Sequence, residues 1–339
     1  MATIRQVAAR AGVSIAAVSR ILNNDETYKA TEETRKKVME AVRELDYTPS
    51  PSYAKRKKAV KNKIGVFTRL TEERTKDSYY SAILNGISDY IRRKGYELEF
   101  VQSQYDIVDP QSLQTLLSKN ICGLVLMNPL DEKTLALIRS KVKHIVGIDT
   151  DIHEIDNIRY NRFEAGMYAM NYLIDNGHKK IAFIGSFGDT NGKIIYPGRF
   201  DAYQKAMRNN NLPINPEWII DCKWTRQICF DKTQELMRST DRPTALFIAS
   251  DYMAIASISA MHESGLRVPE DVSVVGISDI EMSKYLNPPL TTVAIPQTEI
   301  GEIAASTLLA RIEGDNTVPK QIFVPTKLVI RDSVAKRNS

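Results

Sequence analysis

The sequence predicts an α/β protein: a small three-helix unit at the N-terminus, followed by two doubly wound parallel-sheet lobes. Three observations carry this. The positive charge is confined to the first fifth of the chain, where residues 1–63 hold 14 Lys+Arg against 7 Asp+Glu and the remainder holds 32 against 34. Apolar residues in that fifth recur at helical spacing. Beyond it, short apolar runs alternate with helical stretches in two successive series.

At 339 residues, 43% hydrophobic and 26% charged, the chain has room for two or three globular domains. No apolar run approaches about 18 residues, so no membrane-spanning helix is expected. The start, "MATIRQVAARAG", has no apolar core of a secretion signal, which leads to a cytoplasmic expectation. Cys122, Cys222 and Cys229 fit neither a disulfide framework nor a paired metal motif and read as reduced thiols.

The first helix lies in "TIRQVAARAG". Thr3 and Gln6 have capping-box spacing, Ile4, Val7, Ala8 and Ala11 share a face, and Gly12 can take the left-handed turn that ends it. Ser14 caps a second helix, "IAAVSRILNN", with Ile15, Val18 and Leu22 at helical spacing. Thr31 caps a third, "EETRKKVMEAVRELDY", whose acids come first and bases later, as the helix dipole prefers; Val38, Val42 and Leu45 form its apolar face. Two helices joined by a tight glycine turn in a basic unit make a helix-turn-helix pattern. The second helix presents Ser14, Ile15, Ala16, Ser19, Arg20 and Asn23, short polar, small and guanidinium groups suited to base edges and phosphates. A polyanion partner follows from the charge block, with a solvated three-helix bundle as the plain alternative.

From residue 63, "KIGVFTR", "YELEFVQ", "CGLVLMN" and "HIVGID" alternate with "YSAILNGISDYIRRKG" and "DEKTLALIRS". A second series runs "KIAFIG", a helix from Arg199, "TALFIAS", "DYMAIASISAMHESG" and "VSVVGIS". Such alternation implies parallel sheets with right-handed crossovers, and ligands bind at the carboxyl ends of their strands. A cleft between two lobes is the expected site. Signs of catalysis are absent. "GSFGDTNGKI" is glycine-rich but lacks the phosphate-loop spacing, with Ile194 where a magnesium-binding hydroxyl belongs. His144, His153, His178 and His262 are scattered without ligand spacing. His178 reads as completing a helix end, and Asp251 as capping the helix that follows "TALFIAS". No catalytic residue, cofactor or metal is expected.

The "AGVS" turn, the "VSR" triplet and the following "LN" resemble the headpiece of the LacI/GalR family of bacterial transcription regulators. The likeness continues through "NGHKKIAFIG", "ALFIASDYMAI", "ESGLRVPEDVSVVGISD", "NPPLTTV" and "LVIRDS", to about residue 332. It implies a homodimer binding a pseudopalindromic double-stranded operator, and a core like the periplasmic sugar-binding proteins. Residues 1–46 would be the DNA-binding unit, 47–63 a hinge, 64–332 the effector-binding and dimerisation core and 333–339 a tail. Lobe 1 would be 64–157 plus 296–320, and lobe 2 158–295 plus 321–332, with three crossovers. The absence of a closing leucine heptad points to a dimer rather than a tetramer.

The resemblance places effector contacts at Asn128, Asp149 and Arg199, with Trp224, Tyr79 and Tyr80 as stacking aromatics. An amide, a carboxylate and a guanidinium pair well with neighbouring sugar hydroxyls, and an indole stacks on a pyranose. Ser278, in "GISD", stands where sugar-responsive members often carry an acid or amide. The Tyr79–Tyr80 pair, "NPPLTTV" and "FVPTKLVIRDS" are similar to repressors of galactose and β-galactoside operons. A small-molecule sugar effector is therefore expected. A purine-responsive regulator of the family, or a sugar-binding or sugar-processing protein with an unrelated basic N-terminus, are the alternatives.

The hinge "YTPSPSYAKRKKAVKNK" holds six basic residues and no acid. In the family this segment folds into a helix on DNA, where a leucine wedges into the minor groove. Here Tyr47 and Pro49 match, but Arg56 or Lys57 stands in place of the leucine, and Tyr53 is the one large apolar side chain nearby. The candidate DNA contacts are thus Thr3, Ser14, Ile15, Ala16, Ser19, Arg20, Asn23, Tyr53, Lys55, Arg56 and Lys57. Backbone contacts from Lys55, Arg56, Lys57 and Lys58 should give steep salt dependence. Replacing all four by alanine is expected to flatten the slope of log affinity against log salt by about 0.9 per lost phosphate contact, read by titrating operator binding across salt.

Overall fold

The computed structural model describes residues 2–22, 28–47, 62–186 and 198–337. The chain divides into two compact units, Met1–Asn62 and Lys63–Ser339.

The first unit contains α1 (Ile4–Ala11), α2 (Ile15–Leu22) and α3 (Glu32–Glu44). Both bonds of the capping box form: Thr3 Oγ1 accepts from Gln6 N, and the Gln6 side chain accepts from Thr3 N at 2.8 Å. Gly12 ends α1 at φ 68°. Ser14 Oγ accepts from Ala17 N at 3.1 Å, and Thr31 Oγ1 from Thr34 N at 3.2 Å. The core is Val7, Ala8, Ala11, Ala17, Val18, Ile21, Val38 and Ala41. Of the helically spaced Ile15, Val18 and Leu22, Val18 alone is fully buried, and Ile15 is presented outward as expected. The buried stripe of α2 is Ala17, Val18 and Ile21, whereas Ile15 is 45% exposed. At about 100° per residue, Ile15 points about 160° away from Ala17 and 120° from Ile21.

The second unit holds two six-stranded sheets. Lobe 1 carries β1 (Lys63–Thr68), β2 (Glu97–Ser103), β3 (Gly123–Met127), β4 (Ile145–Ile148), β5 (Asp156–Tyr160) and a late strand, Gln321–Val324. Lobe 2 carries β6 (Ile181–Gly185), β7 (Ile219–Asp221), β8 (Ala245–Ile248), β9 (Ser273–Ser278) and β10 (Thr291–Ala294). The late strands are β11 (Gln321–Val324) and β12 (Lys327–Val329). The orders are β11-β5-β4-β3-β1-β2 and β12-β10-β9-β8-β6-β7. Every pairing is parallel except β10 with β12.

The lobes differ in detail from the sequence expectation. β5 and β11 both belong to the first sheet, so the crossovers fall after Tyr160 and Val324 rather than after residues 157 and 320. A largely buried ion pair lies at this junction. The Arg311 guanidinium grips both oxygens of Asp156, at 2.6 and 3.0 Å, and Lys320 N donates to the same carboxylate at 2.8 Å. Two later stretches of the chain are thereby tied to the start of β5.

The helices of lobe 1 are α4 (Glu72–Thr75), α5 (Ser78–Arg93), α6 (Pro110–Leu117), α7 (Glu132–Lys141) and, returning late in the chain, Gln297–Glu313. That returning helix packs closely on α5. A Cβ at Gly86 would stand 2.2 Å from Thr298 O, and one at Gly301 2.1 Å from Ile83 O. Lobe 2 has α8 (Arg162–Asp175), α9 (Gly198–Asn209), α10 (Arg226–Arg238) and α11 (Asp251–Glu263), which makes Gln297–Glu313 α12. His178 follows α8. Its N–H reaches Leu173 O at 3.2 Å, and its ring bridges Thr244 Oγ1 at 3.0 Å and Ala335 O at 3.1 Å. Burial drives its pKa down to about 4, so the ring is a neutral structural link. Cys222 and Cys229 are buried and Cys122 half-buried, all as free thiols.

Asp251 is corrected too. Ser250 caps α11, accepting from Met253 N at 3.2 Å. Asp251 lies one residue inside and points back into the lobe. It accepts from Thr292 Oγ1 at 2.6 Å, Ser283 Oγ at 2.7 Å and Ile280 N at 3.3 Å. A Cβ at Gly276 would stand 2.1 Å from its Oδ1, so a glycine is needed there. Burial pushes the Asp251 pKa up to about 6, against the bonds that favour its ionised form. An acid with a raised folded pKa stabilises fully only while protonated. This contribution is present below about pH 4 and is lost as pH rises through about 6. Between pH 5 and 7 the loss amounts to about 1 kcal/mol. The fall in melting temperature over that range is therefore expected to be smaller in Asp251→Asn than in the natural protein.

Candidate functional site

The carboxyl ends of the two sheets meet in one cleft within the second unit, enclosing about 600 Å³ with its opening. Asn128 directly follows β3 and Asp149 directly follows β4; Trp224 comes after β7, and β9 ends on Ser278. All four have left-handed backbone, with φ 71°, 54°, 54° and 128°. Non-glycine residues in that region cost about 1–3 kcal/mol each and tend to cluster at ligand sites. Here the conformation turns each chain sharply at its strand end and directs the side chain into the cleft.

Tyr79 and Tyr80 open α5. Asp77 caps it, accepting from Tyr79 N at 3.0 Å, and the two rings meet edge to face at 5.0 Å. Burial raises the Asp77 pKa, opposed by the Tyr79 N–H and by Arg74 and Arg199. Burial, then the Asp149 charge, holds the Tyr79 hydroxyl well above its ordinary pKa, so it stays protonated. Arg199, in the first turn of α9, donates to Tyr160 Oη, and its guanidinium lies 5.7 Å from both the Tyr160 and Trp224 rings. All seven residues expected from the sequence line this cleft: Tyr79, Tyr80, Asn128, Asp149, Arg199, Trp224 and Ser278.

The sequence reading missed Arg74, Asp77, Tyr160, Arg162 and Tyr252, which also line it. Arg162 Nη2 stands 3.1 Å from Asp149 Oδ1. The two form an ion pair, while that oxygen has no hydrogen-bond partner. Tyr160 and Arg162 flank the end of β5, whose single branched residue, Ile158, gave little strand signal. Among the described residues, four buried atoms in the cleft have no hydrogen-bond partner: Asn128 Oδ1, Asp149 Oδ1, Ser278 Oγ and Arg199 Nε. Outside the cleft the carboxylates of Asp156 and Asp251 are fully matched, while Arg69 Nε, Thr150 Oγ1, Arg159 Nε, Thr326 Oγ1 and Arg337 Nε are also without partners.

In the first unit, Thr3, Ser14, Ile15, Ala16 and Arg20 are exposed and Ser19 is half-buried. The Arg20 guanidinium lies 5.5 Å over the Tyr28 ring. Asn23, Tyr53, Lys55, Arg56 and Lys57 lie outside the described residues. Among the described residues no group of three or more His, Cys, Asp or Glu could hold a metal ion. No described helix is long and apolar enough to cross a membrane.

The profile "Bacterial regulatory proteins, lacI family" matches residues 3–50, and "Periplasmic binding protein-like domain" matches 170–334. The HTH-type transcriptional repressor PurR of Aliivibrio fischeri (strain MJ11) is 34% identical over 345 residues, 99% of each chain. The chain belongs to the LacI family. The ribose operon repressor of Haemophilus influenzae is 32% identical over 338 residues, 98% of this chain and 99% of its own. The Lac repressor dimer bound to operator and the anti-inducer ONPF superimposes with a TM-score of 0.70 at 26% identity, covering 98% of this chain and 99% of the other. This LacI-family protein is a DNA-binding transcriptional repressor, in a family of regulators rather than enzymes. Arg20→Ala removes the contact with the Tyr28 ring and is expected to lower stability by about 0.5–1 kcal/mol. It should weaken operator binding about tenfold or more, as loss of a base-edge contact of about 1–3 kcal/mol requires, measured by fluorescence anisotropy.

Proposed function

We propose that this repressor controls a galactose or β-galactoside utilisation operon and is relieved by a neutral sugar bound between its two lobes. The observation that carries the reading is the set of unpartnered buried atoms. Asn128 Oδ1 and Asp149 Oδ1 call for donors, Arg199 Nε calls for an acceptor, and Ser278 Oγ accepts either. A sugar hydroxyl is donor and acceptor at once, so adjacent hydroxyls satisfy such a mixed set. The Trp224, Tyr79 and Tyr80 rings beside them suit the apolar face of a pyranose. The ribose operon repressor and the Lac repressor among its relatives agree with a sugar effector.

The working form is a homodimer on double-stranded operator, as in the related Lac repressor dimer bound to operator. Apolar side chains are exposed on both lobes, Val101, Tyr105 and Val108 on the first and Met282 and Tyr285 on the second, as a covered interface requires. Effector would alter lobe closure and so operator affinity, with a coupling of about 1–3 kcal/mol.

A purine effector is the second reading, favoured by the 34% identity to PurR. A flat purine would stack on Trp224, but its ring N–H donors are fixed in one plane, whereas sugar hydroxyls rotate to suit each partner. Two measurements separate the readings. In a thermal-shift panel, galactosides are expected to stabilise the protein and hypoxanthine not; the reverse result establishes the purine. Arg199→Ala is expected to retain operator affinity while weakening effector binding at least tenfold, since bonds to a charged group contribute about 1.5–3 kcal/mol. Unchanged induction in that variant would sink the assignment.

A further inference from the structure

We propose that α4 is a latch between the two lobes at the outer edge of the cleft, and that it must open for effector to enter or leave. The inference rests on the cleft being the effector site. α4 sits between β1 and α5, in lobe 1, and its base is anchored there. Leu70 is buried, its carbonyl accepts from Ser103 Oγ at 2.6 Å, and Arg69 N donates to Met127 O at 3.2 Å. The turn itself reaches lobe 2. Glu73 Oε1 accepts from Arg226 Nε, at the start of α10, at 3.0 Å, and from Tyr252 Oη, on α11, at 3.4 Å. The Arg226 guanidinium in turn lies 4.6 Å over the Tyr252 ring.

The neighbouring residue faces inward. The Arg74 guanidinium lies 5.3 Å over the Trp224 ring and 5.1 Å over Tyr80, and it donates to Tyr80 Oη. One short turn thus holds lobe 2 with Glu73 and covers, with Arg74, the indole on which the sugar ring would stack. Side-chain exposure places the latch outermost: 47% for Arg226 and 26% for Glu73, against 9% for Asp149. Most other side chains of the cleft stand at strand ends or in the first turns of long helices, which are costly to move. α4 is four residues on a connecting segment, the kind of element that opens first. A ring that stacks on Trp224 competes with Arg74, and lifting Arg74 moves Glu73 with it.

The test uses a charge swap read in two ways. Trp224 and Trp218 are the two tryptophans, so Trp218→Phe leaves Trp224 as the sole indole. In that background and without ligand, Glu73→Arg is expected to raise acrylamide quenching at least twofold, and Glu73→Arg with Arg226→Glu to restore it. Should Trp218→Phe prove unstable, the natural background reads the same change, because Trp218 is only 4% exposed. In stopped-flow with a galactoside, the single variant should speed association and dissociation several-fold, and the swap should reverse this. Unchanged quenching, or a swap that fails to restore it, overturns the latch. Raised quenching with unchanged galactoside rates overturns its gating role. If no sugar binds the parent protein, the sugar reading fails, while quenching still decides whether the latch exists.

Discussion

The structure depends on one constraint: two parallel sheets meet by their carboxyl ends. Parallel strands with helical crossovers leave their carboxyl ends free of the connecting helix bodies, so side chains there are available for binding. In this repressor the strand ends turn through left-handed residues at Asn128, Asp149 and Ser278. The strain is local and small beside the burial that holds each sheet. It places an amide, a carboxylate and a hydroxyl where hydrogen bonds within either lobe do not reach them.

The contrast with the rest of the core is informative. Asp156 is satisfied by Arg311 and Lys320 N, and Asp251 by two hydroxyls and a backbone N–H. Arg331 likewise pairs with Asp279 at 2.6 Å and with Leu290 O at 2.7 Å. These networks join segments far apart in sequence, and removing one partner of such a buried pair costs about 3–5 kcal/mol. The same chemical groups therefore play two parts. Where partners are complete they fix the lobes, and in the cleft Asn128, Asp149, Ser278 and Arg199 keep atoms without partners.

The small first unit works by different means. Its core is eight small or medium apolar side chains, and caps at Thr3, Ser14 and Thr31 close the open helix ends. Each cap contributes about 0.5–2 kcal/mol, a large share for so small a core. Tight caps let the outer face of α2 carry Ile15 and Ala16, which the core does not require, and Arg20, whose guanidinium lies over the Tyr28 ring.

Much of this was legible in the sequence, because the signals were local. Capping residues, the Gly12 turn and helical periodicity define the first unit within a few residues of each other. The alternating apolar runs define the parallel strands of both lobes, and the seven effector candidates, placed by family resemblance, do line one cleft. What tertiary structure decided was long-range. β5 and β11 pair in the first sheet, and beside them Asp156 meets Arg311, 155 residues away, which no local pattern announces. Asp251 has the sequence setting of a cap, yet Ser250 takes that role because the carboxylate finds three buried donors on other segments. Arg74 and Arg162 enter the cleft because lobe 2 stands opposite lobe 1. The sequence by itself determined the elements and the chemical groups at their ends; the packing of the two lobes decided which of those groups meet.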